Sequence, residues 1–202
     1  MPLNDNDKVL ITEAIAAGGD VWANDSIKPV KDKIKAYYRG ISGGHCCYCK
    51  SSFRGGFNMV IDIEHVLPKS KYADFIFELF NLNISCKRCN MLIKKDRLDF
   101  LLDEHMVQQD PRNTDKYLLI HPNLDEYFEH MSLDVVIRNQ KEMVKFSPIK
   151  PKGQFTYDFF RLSELEVNSL NSAQGIGQKS EPLSVNLPQD MQDVANDLIR
   201  QL

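Results

Sequence analysis

At 202 residues, with 43% hydrophobic residues and a net charge of −3, the chain has room for one domain, or for a compact core with an appendage. The hydrophobic share excludes general disorder, and no apolar run approaches the ~18 residues of a membrane span. The slightly acidic balance excludes a uniformly basic nucleic-acid binder but not a local basic face. Residues 26–54 hold seven basic side chains and one acid, and residues 87–97 hold five and one. The opening MPLNDNDKVLITEAIAAGG lacks the basic n-region of a signal peptide, so the expected location is the cytoplasm. In that compartment four cysteines in x2-spaced pairs, of five in all, read as metal ligands rather than disulfides.

In chain order, Asp5–Ala17 reads as a helix, with Leu10, Ile11, Ala14 and Ile15 on one face and Gly18-Gly19 ending it. Residues 27–39 read as a second helix, with Val30, Ile34, Tyr37 and Tyr38 at helical spacing and Pro29 confined to the first turn. Residues 57–63 alternate and predict a strand whose end carries Glu64-His65. The apolar spacing 72, 75, 76, 79 predicts a helical turn or two before a second strand at 81–85. Residues 90–106 are expected to form the following helix, with Leu98, Leu101 and Leu102 inward. Beyond it, 117–120, 133–138 and 143–146 read as strands, the last two as a hairpin, and 157–170 as a helix capped by Thr156. Residues 171–187 read as a linker. Residues 189–202 read as an amphipathic helix with Met191, Val194, Ala195, Leu198, Ile199 and Leu202 on one face. Such a stripe must be buried, on its own core or on a partner.

The densest chemistry lies between two Cys-x-x-Cys knuckles, Cys46/Cys49 and Cys86/Cys89. Each knuckle turns two sulfurs toward one point, and two knuckles complete a tetrahedral thiolate shell with no open position. The expected ion is therefore a structural Zn2+, whose binding energy is also folding energy. Cys47 is the spare thiol, and His45 is a substitute ligand to be weighed. Between the knuckles stands Glu64-His65-Val66-Leu67-Pro68-Lys69, and Asn90 follows Cys89 at once. An imidazole with an unperturbed pKa of ~6.5 can take a proton from water at physiological pH. A carboxylate and a carboxamide suit a hard divalent cation.

These residues, about 46–97, resemble the HNH endonuclease family, also called ββα-metal or His-Me finger nucleases. Within that family they look most like the bacterial antiphage branch, the Septu-type and retron-associated HNH proteins, with Glu64-His65-Val66-Leu67-Pro68-Lys69 as the EH-x-x-PK element. His121-Pro122, followed by an acidic stretch ending Glu129-His130, is a weaker echo of that branch. The resemblance implies a metal-dependent endonuclease that cuts DNA and leaves a 5′ phosphate. It implies His65 as general base, Asn81 as the residue that orients it, and Glu64 and Asn90 as ligands of a catalytic Mg2+ or Mn2+. Asn83 is a fallback for Asn81, and Asp62, two before Glu64 on the expected strand, shares its face and is a further candidate to approach the ion. The family often carries Lys three residues after the third-position Asn, where this chain has Ile93. Phosphate contact is therefore expected to shift to Lys94 or Lys95, with Lys69, Lys87 and Arg88 as further nucleic-acid contacts.

The expected fold is α+β: a zinc-stapled ββα-metal finger core with flanking helices and a small β-hairpin. The expected segments are a helical region at 1–44, the nuclease core at 45–106, accessory strands and helix at 107–170, the linker at 171–187 and the C-terminal helix at 188–202. The antiphage resemblance implies an ATPase partner, and no association with a membrane is expected. Two other readings remain open. One is a non-catalytic zinc module that binds nucleic acid or protein, which needs the cysteines and basic clusters but not Glu64, His65 and Asn90 together. The other is a toxin-like nuclease with an immunity protein.

Overall fold

The computed structural model describes residues 3–56, 60–139 and 141–168; the expected linker at 171–187 and helix at 189–202 lie outside the described residues. Helix α1 (Asp5–Ala17) starts where the Asn4 side chain accepts from the Asp7 amide while Asp7 caps the Asn4 amide in return, and it stops at Gly18, whose φ is +73°. Helix α2 (Lys28–Ile41) has its proline in the first turn and buries Val30, Ile34 and Tyr38, one residue per turn. Its apolar stripe packs against a two-stranded antiparallel sheet, β1 (Ile61–His65) and β2 (Leu82–Cys86). The register pairs Ile61 with Cys86, Ile63 with Ile84 and His65 with Leu82. Strand β1 is therefore placed slightly later than the alternation predicts; residues 57–59 lie outside the described residues. Short 3-10 turns at Ala73–Phe75 and Leu79–Asn81 fill the loop between the strands, matching the helical turns expected there.

The long helix expected at 90–106 is not formed. Instead a π-helical segment, Arg88–Lys94, follows β2 and ends at Lys95, whose backbone is left-handed (φ 51°). The Lys95 amide donates to the Asn90 carbonyl at 2.8 Å, an i→i+5 bond that closes the wide turn. The chain then runs irregularly to α3 (Glu104–Gln109), capped by Asp103. Leu101 is buried as expected, but Leu102 faces solvent. Residues 117–120 are not a strand either: Tyr117 makes an isolated bridge to Leu101, and the Ile120 amide is satisfied by Thr156 Oγ1 at 2.8 Å.

Helix α4 (Tyr127–His130) leads into β3 (Met131–Arg138), hydrogen-bonded to its neighbour β4 (Lys141–Pro148) as the expected hairpin. Helix α5 (Pro151–Phe159) precedes the position expected for it, because Pro151 starts it and left-handed Arg161 (φ 48°) follows its end. Thr156 lies inside that helix, not at its cap. A 3-10 turn (Leu162–Leu165) and β5 (Val167–Asn168) complete the described chain. The described residues divide into two units, those of 3–135 with 144–166, and those of 136–143 with 167–168. The first unit holds helices α1 to α5, the β1–β2 sheet and the core around Ile27, Ile34, Leu67, Leu82, Ile84 and Phe160. The architecture is α+β, and among the described residues no helix is long and apolar enough to cross a membrane.

Candidate functional site

The first knuckle is a tight turn. The Cys46 amide donates to Ser51 O at 3.0 Å and the Lys50 amide to Cys46 O at 3.0 Å, with Lys50 in the left-handed region (φ 55°). The second knuckle starts at the end of β2 and finishes in the π-helical segment. The sulfurs of Cys46, Cys49, Cys86 and Cys89 all lie within 4.8 Å of one another. Zn–S bonds of ~2.3 Å in a tetrahedron separate sulfurs by ~3.8 Å. Cys49 Sγ and Cys86 Sγ stand 3.8 Å apart, so the set fits a Zn2+. The Cys86 amide donates to Cys46 Sγ (3.3 Å) and the Cys89 amide to Cys86 Sγ (3.5 Å), which favours thiolates. Cys47 is outside the cluster; burial pushes its thiol up, and its amide donates to Ile84 O. His45 is outside it too, with Nδ1 3.2 Å from Ser42 O. The cluster ties the knuckle, β2 and the π-helical segment into one piece, and Tyr48 extends the tie by stacking on Phe160 at 4.2 Å.

Beside this cluster opens a cleft of about 700 Å³, lined by His65, Asn90 and six lysines, Lys28, Lys31, Lys35, Lys69, Lys87 and Lys95. His65 stands at the end of β1. Its Nε2 lies 3.0 Å from the carbonyl oxygen of Ile76, which can only accept, so Nε2 carries the hydrogen and Nδ1 keeps its lone pair. Trp22 meets the ring edge-on, with centroids 4.4 Å apart. Burial, then the charges of Lys94 and Lys69, lower the imidazole pKa to about 4 against the Ile76 hydrogen bond, so it is neutral at physiological pH.

Asn81 is fully buried between the strands and the loop after His65. Its Oδ1 accepts from the Leu67 amide at 2.6 Å, and its Nδ2 donates to Leu67 O at 3.1 Å and Phe75 O at 3.0 Å. Asn83 points elsewhere, to Asn123 at 2.8 Å. Asn90 faces Asp62, with Nδ2 3.4 Å from Asp62 Oδ2, and both line the cleft.

Three expected site residues stand differently. Glu64 has 0% of its surface exposed; Lys94 Nζ lies 2.9 Å from its Oε1, and the Tyr48 hydroxyl donates to the same oxygen at 3.0 Å. Burial pushes its carboxyl up, against Lys94 and Tyr48, which favour the anion. Lys94, at 1% exposure, also donates to His65 O at 2.8 Å, so it is turned inward rather than toward a nucleic-acid surface. Arg88 is spent on the chain after α5, donating to Phe160 O, Arg161 O and Glu164. Lys69 and Lys87 line the cleft in ion pairs with Asp20 (2.9 Å) and Asp62 (3.2 Å), and Lys95 is exposed at its edge. The carboxylates that line the cleft are those of Asp32, Asp62 and Asp96, and Asp62 meets the carboxamide of Asn90 there, Asn90 Nδ2 facing its Oδ2 and Lys87 Nζ its Oδ1. Among the described residues, the four cysteines are the group of three or more His, Cys, Asp or Glu side chains close enough to hold one ion.

Sequence reasoning put Lys28, Lys31 and Lys35 in a basic cluster, but their i, i+3, i+7 spacing on α2 was the signal that they share a face. No local signal pointed to Trp22 against His65, or to Tyr48 on Glu64.

Fold and site together define an α+β protein with a four-cysteine cluster that could hold zinc and, next to it, a lysine-lined cleft containing a neutral imidazole. The chain is similar to a Septu protein PtuB from Bacillus thuringiensis, 26% identical over 157 residues. The match covers 78% of this chain and 49% of that protein, so the chain spans about half the length of the curated relative. No family model matches the chain, and no solved structure matches it.

Proposed function

We propose that this chain is a metal-dependent HNH-type endonuclease that hydrolyses DNA phosphodiester bonds, with β1, β2 and the π-helical segment as its ββα-metal finger. The observation that carries the reading is His65, a neutral imidazole with Nε2 bonded to the Ile76 carbonyl, in a cleft with Asn90 and six lysines. Nδ1 is the basic atom. It takes a proton from water as that water attacks phosphorus, and the P–O bond to the 3′ oxygen breaks, leaving a 5′ phosphate. Asn81 holds the loop that carries the Ile76 carbonyl, which keeps the ring in the tautomer able to accept. The lysines attract the backbone phosphates. Asp62 and Asn90 would hold a Mg2+ or Mn2+, and Glu64 would join them only where Lys94 releases it. When bound, the ion supplies charge stabilisation at the phosphate and the leaving oxygen.

The biological setting proposed is antiphage defence, supported by the likeness to the Septu protein PtuB, with an ATPase partner and a cytoplasmic location carried over from the sequence resemblance. Conversion of supercoiled plasmid in Mg2+ or Mn2+ tests the activity: parental protein should cut, and His65→Ala, zinc-loaded and folded, should not. Equal cutting by the two would end the proposal. The rival reading, a non-catalytic zinc module, draws support from Glu64, Lys94 and Arg88, which are all held in internal pairs. It expects DNA binding with no cutting by either protein.

A further inference from the structure

The His121-Pro122-Asn123 loop is far in sequence from the strands, yet its asparagine closes on them. Asn123 Nδ2 lies 2.7 Å from Phe80 O, 2.7 Å from Leu82 O and 3.4 Å from Leu79 O. Three carbonyls can only accept, so the amide nitrogen must face them. Asn83 Nδ2 donates to Asn123 Oδ1 at 2.8 Å and locks that orientation. The loop itself is anchored from below. The Asn123 amide donates to His121 Nδ1 (3.2 Å) and the His121 amide to Asp125 Oδ2 (2.7 Å). Asp125 is in turn held by Lys152 (2.9 Å) and Thr114 (2.6 Å). Burial lowers the His121 pKa to about 3, so its ring stays a neutral acceptor.

The segment that Asn123 grips contains Asn81. The Asn81 carbonyl accepts from the Val66 amide at 2.9 Å, and its side chain spans Leu67 and Phe75. The next carbonyl, Ile76 O, receives His65 Nε2. Hydrogen bonds joined by short stretches of backbone therefore run from the Asn123 carboxamide to residues 79–82, from Asn81 to Phe75, and from the next carbonyl, Ile76 O, to the imidazole.

We propose that Asn123 is a positioning residue for His65: it sets the backbone that carries Asn81, and so holds the Ile76 carbonyl where it selects the Nε2–H tautomer. The proposal rests on the reading of His65 as general base, and its test separates the two. The experiment uses the full zinc-loaded chain as parent, Asn123→Ala and, as a remote truncation of a buried side chain in α3, Val107→Ala. Long-range proton–nitrogen NMR reads the His65 tautomer, and a fluorophore–quencher DNA duplex reads kcat and KM. Asn123→Ala should turn a single Nε2–H tautomer into a mixture and lower kcat by about 10²-fold at unchanged KM, the scale of a small misplacement of a reacting group. Val107→Ala should change neither. Asn123→Ser, which keeps one donor for the carbonyls, should fall between and carries the test if the alanine variant does not fold. A single, unaltered tautomer in a folded Asn123 variant overturns the proposal. If His65→Ala cuts DNA like the parent, the general-base reading fails while the tautomer measurement still judges the cradle.

Discussion

Lys94→Met would separate the buried Lys94–Glu64 pair, in which 1% and 0% of the two side chains are exposed and Nζ lies 2.9 Å from Oε1. The Coulomb term of an intact buried pair is largely offset by desolvation, so the pair itself is a poor guide to stability. Removing one partner is different, because it strands the other charge in a site that water does not reach; such changes cost ~3–5 kcal/mol. With a urea m-value of about 2 kcal/mol/M, the unfolding midpoint should drop by ~1.5–2.5 M. The deficit should depend on pH with a definite sign. Burial already pushes the Glu64 carboxyl up, and losing Lys94, which opposes that push, sends it further. A raised carboxyl pKa means that the folded state binds the proton more tightly than the unfolded chain. The deficit is then absent below the unfolded value of ~4.3 and grows as pH rises toward the folded pKa. Urea unfolding followed by Trp22 fluorescence and far-ultraviolet circular dichroism, at pH 5 and pH 7, should show the larger loss at pH 7. Glu64→Gln/Lys94→Met, which leaves no charge unpaired, should recover more than half of it. A Lys94→Met midpoint within ~0.3 M of the parent, or a loss equal at both pH values, would refute the argument.

Elemental analysis should find one zinc per chain, and Cys86→Ser should lose it together with helical signal, since the ion's binding energy is folding energy; a folded parent without zinc would remove the tetrathiolate assignment. His65→Ala should keep fold and zinc and lose ~10²–10⁴-fold of the DNA cleavage rate, the usual share of general-base catalysis. The parental rate, kcat/KM against pH, should be flat through pH 6–7 and fall as pH drops through about 4, where the imidazole gains its proton; a profile still rising between pH 6 and 7 would mean that the ring titrates near its ordinary value. Gly153→Ala should lower thermal stability, because a Cβ there would run into the His130 carbonyl, and an unchanged melting temperature would count against that packing.

Local signals in the sequence carried the knuckles, the first two helices, the paired strands and the hairpin, because each shows in residue types and spacings a few positions long. Asn4 with Asp7, Pro29 in a first turn and the x2 spacing of the cysteines are of that kind. The chain after Cys89 departs from the expected helix because its leucines keep helical spacing while the backbone does not. Left-handed Lys95 ends the turn, and Leu102 is left in solvent. The residues around His65 were legible as a group of types but not as a geometry. That Asp62 rather than Glu64 reaches the cleft depends on Tyr48 and Lys94, 16 residues before Glu64 and 30 after it. Asn123 was invisible for the same reason, since its partners lie 41 to 44 residues away.

Under the HNH reading proposed above, the π-helical segment accounts for Ile93 standing three places after Asn90. An i→i+5 turn holds one residue more than the α-helical i→i+4 turn, so a side chain four places after Asn90 takes the face that one three places on would take in an α-helix. Ile93 is then free to enter the core, and Lys94 points back under the strand toward Glu64 and the His65 carbonyl. Deleting one residue of the pair Met91-Leu92, both exposed, would test this. The shortened segment should close as an ordinary α-helix and put the lysine three places after Asn90, still facing Glu64. The buried pair and the zinc would survive, and the denaturation midpoint would stay close to that of the parent. If the deletion instead strands Glu64, the midpoint should fall as far as it does for Lys94→Met, and the extra residue would then be needed for the fold rather than absorbed by it.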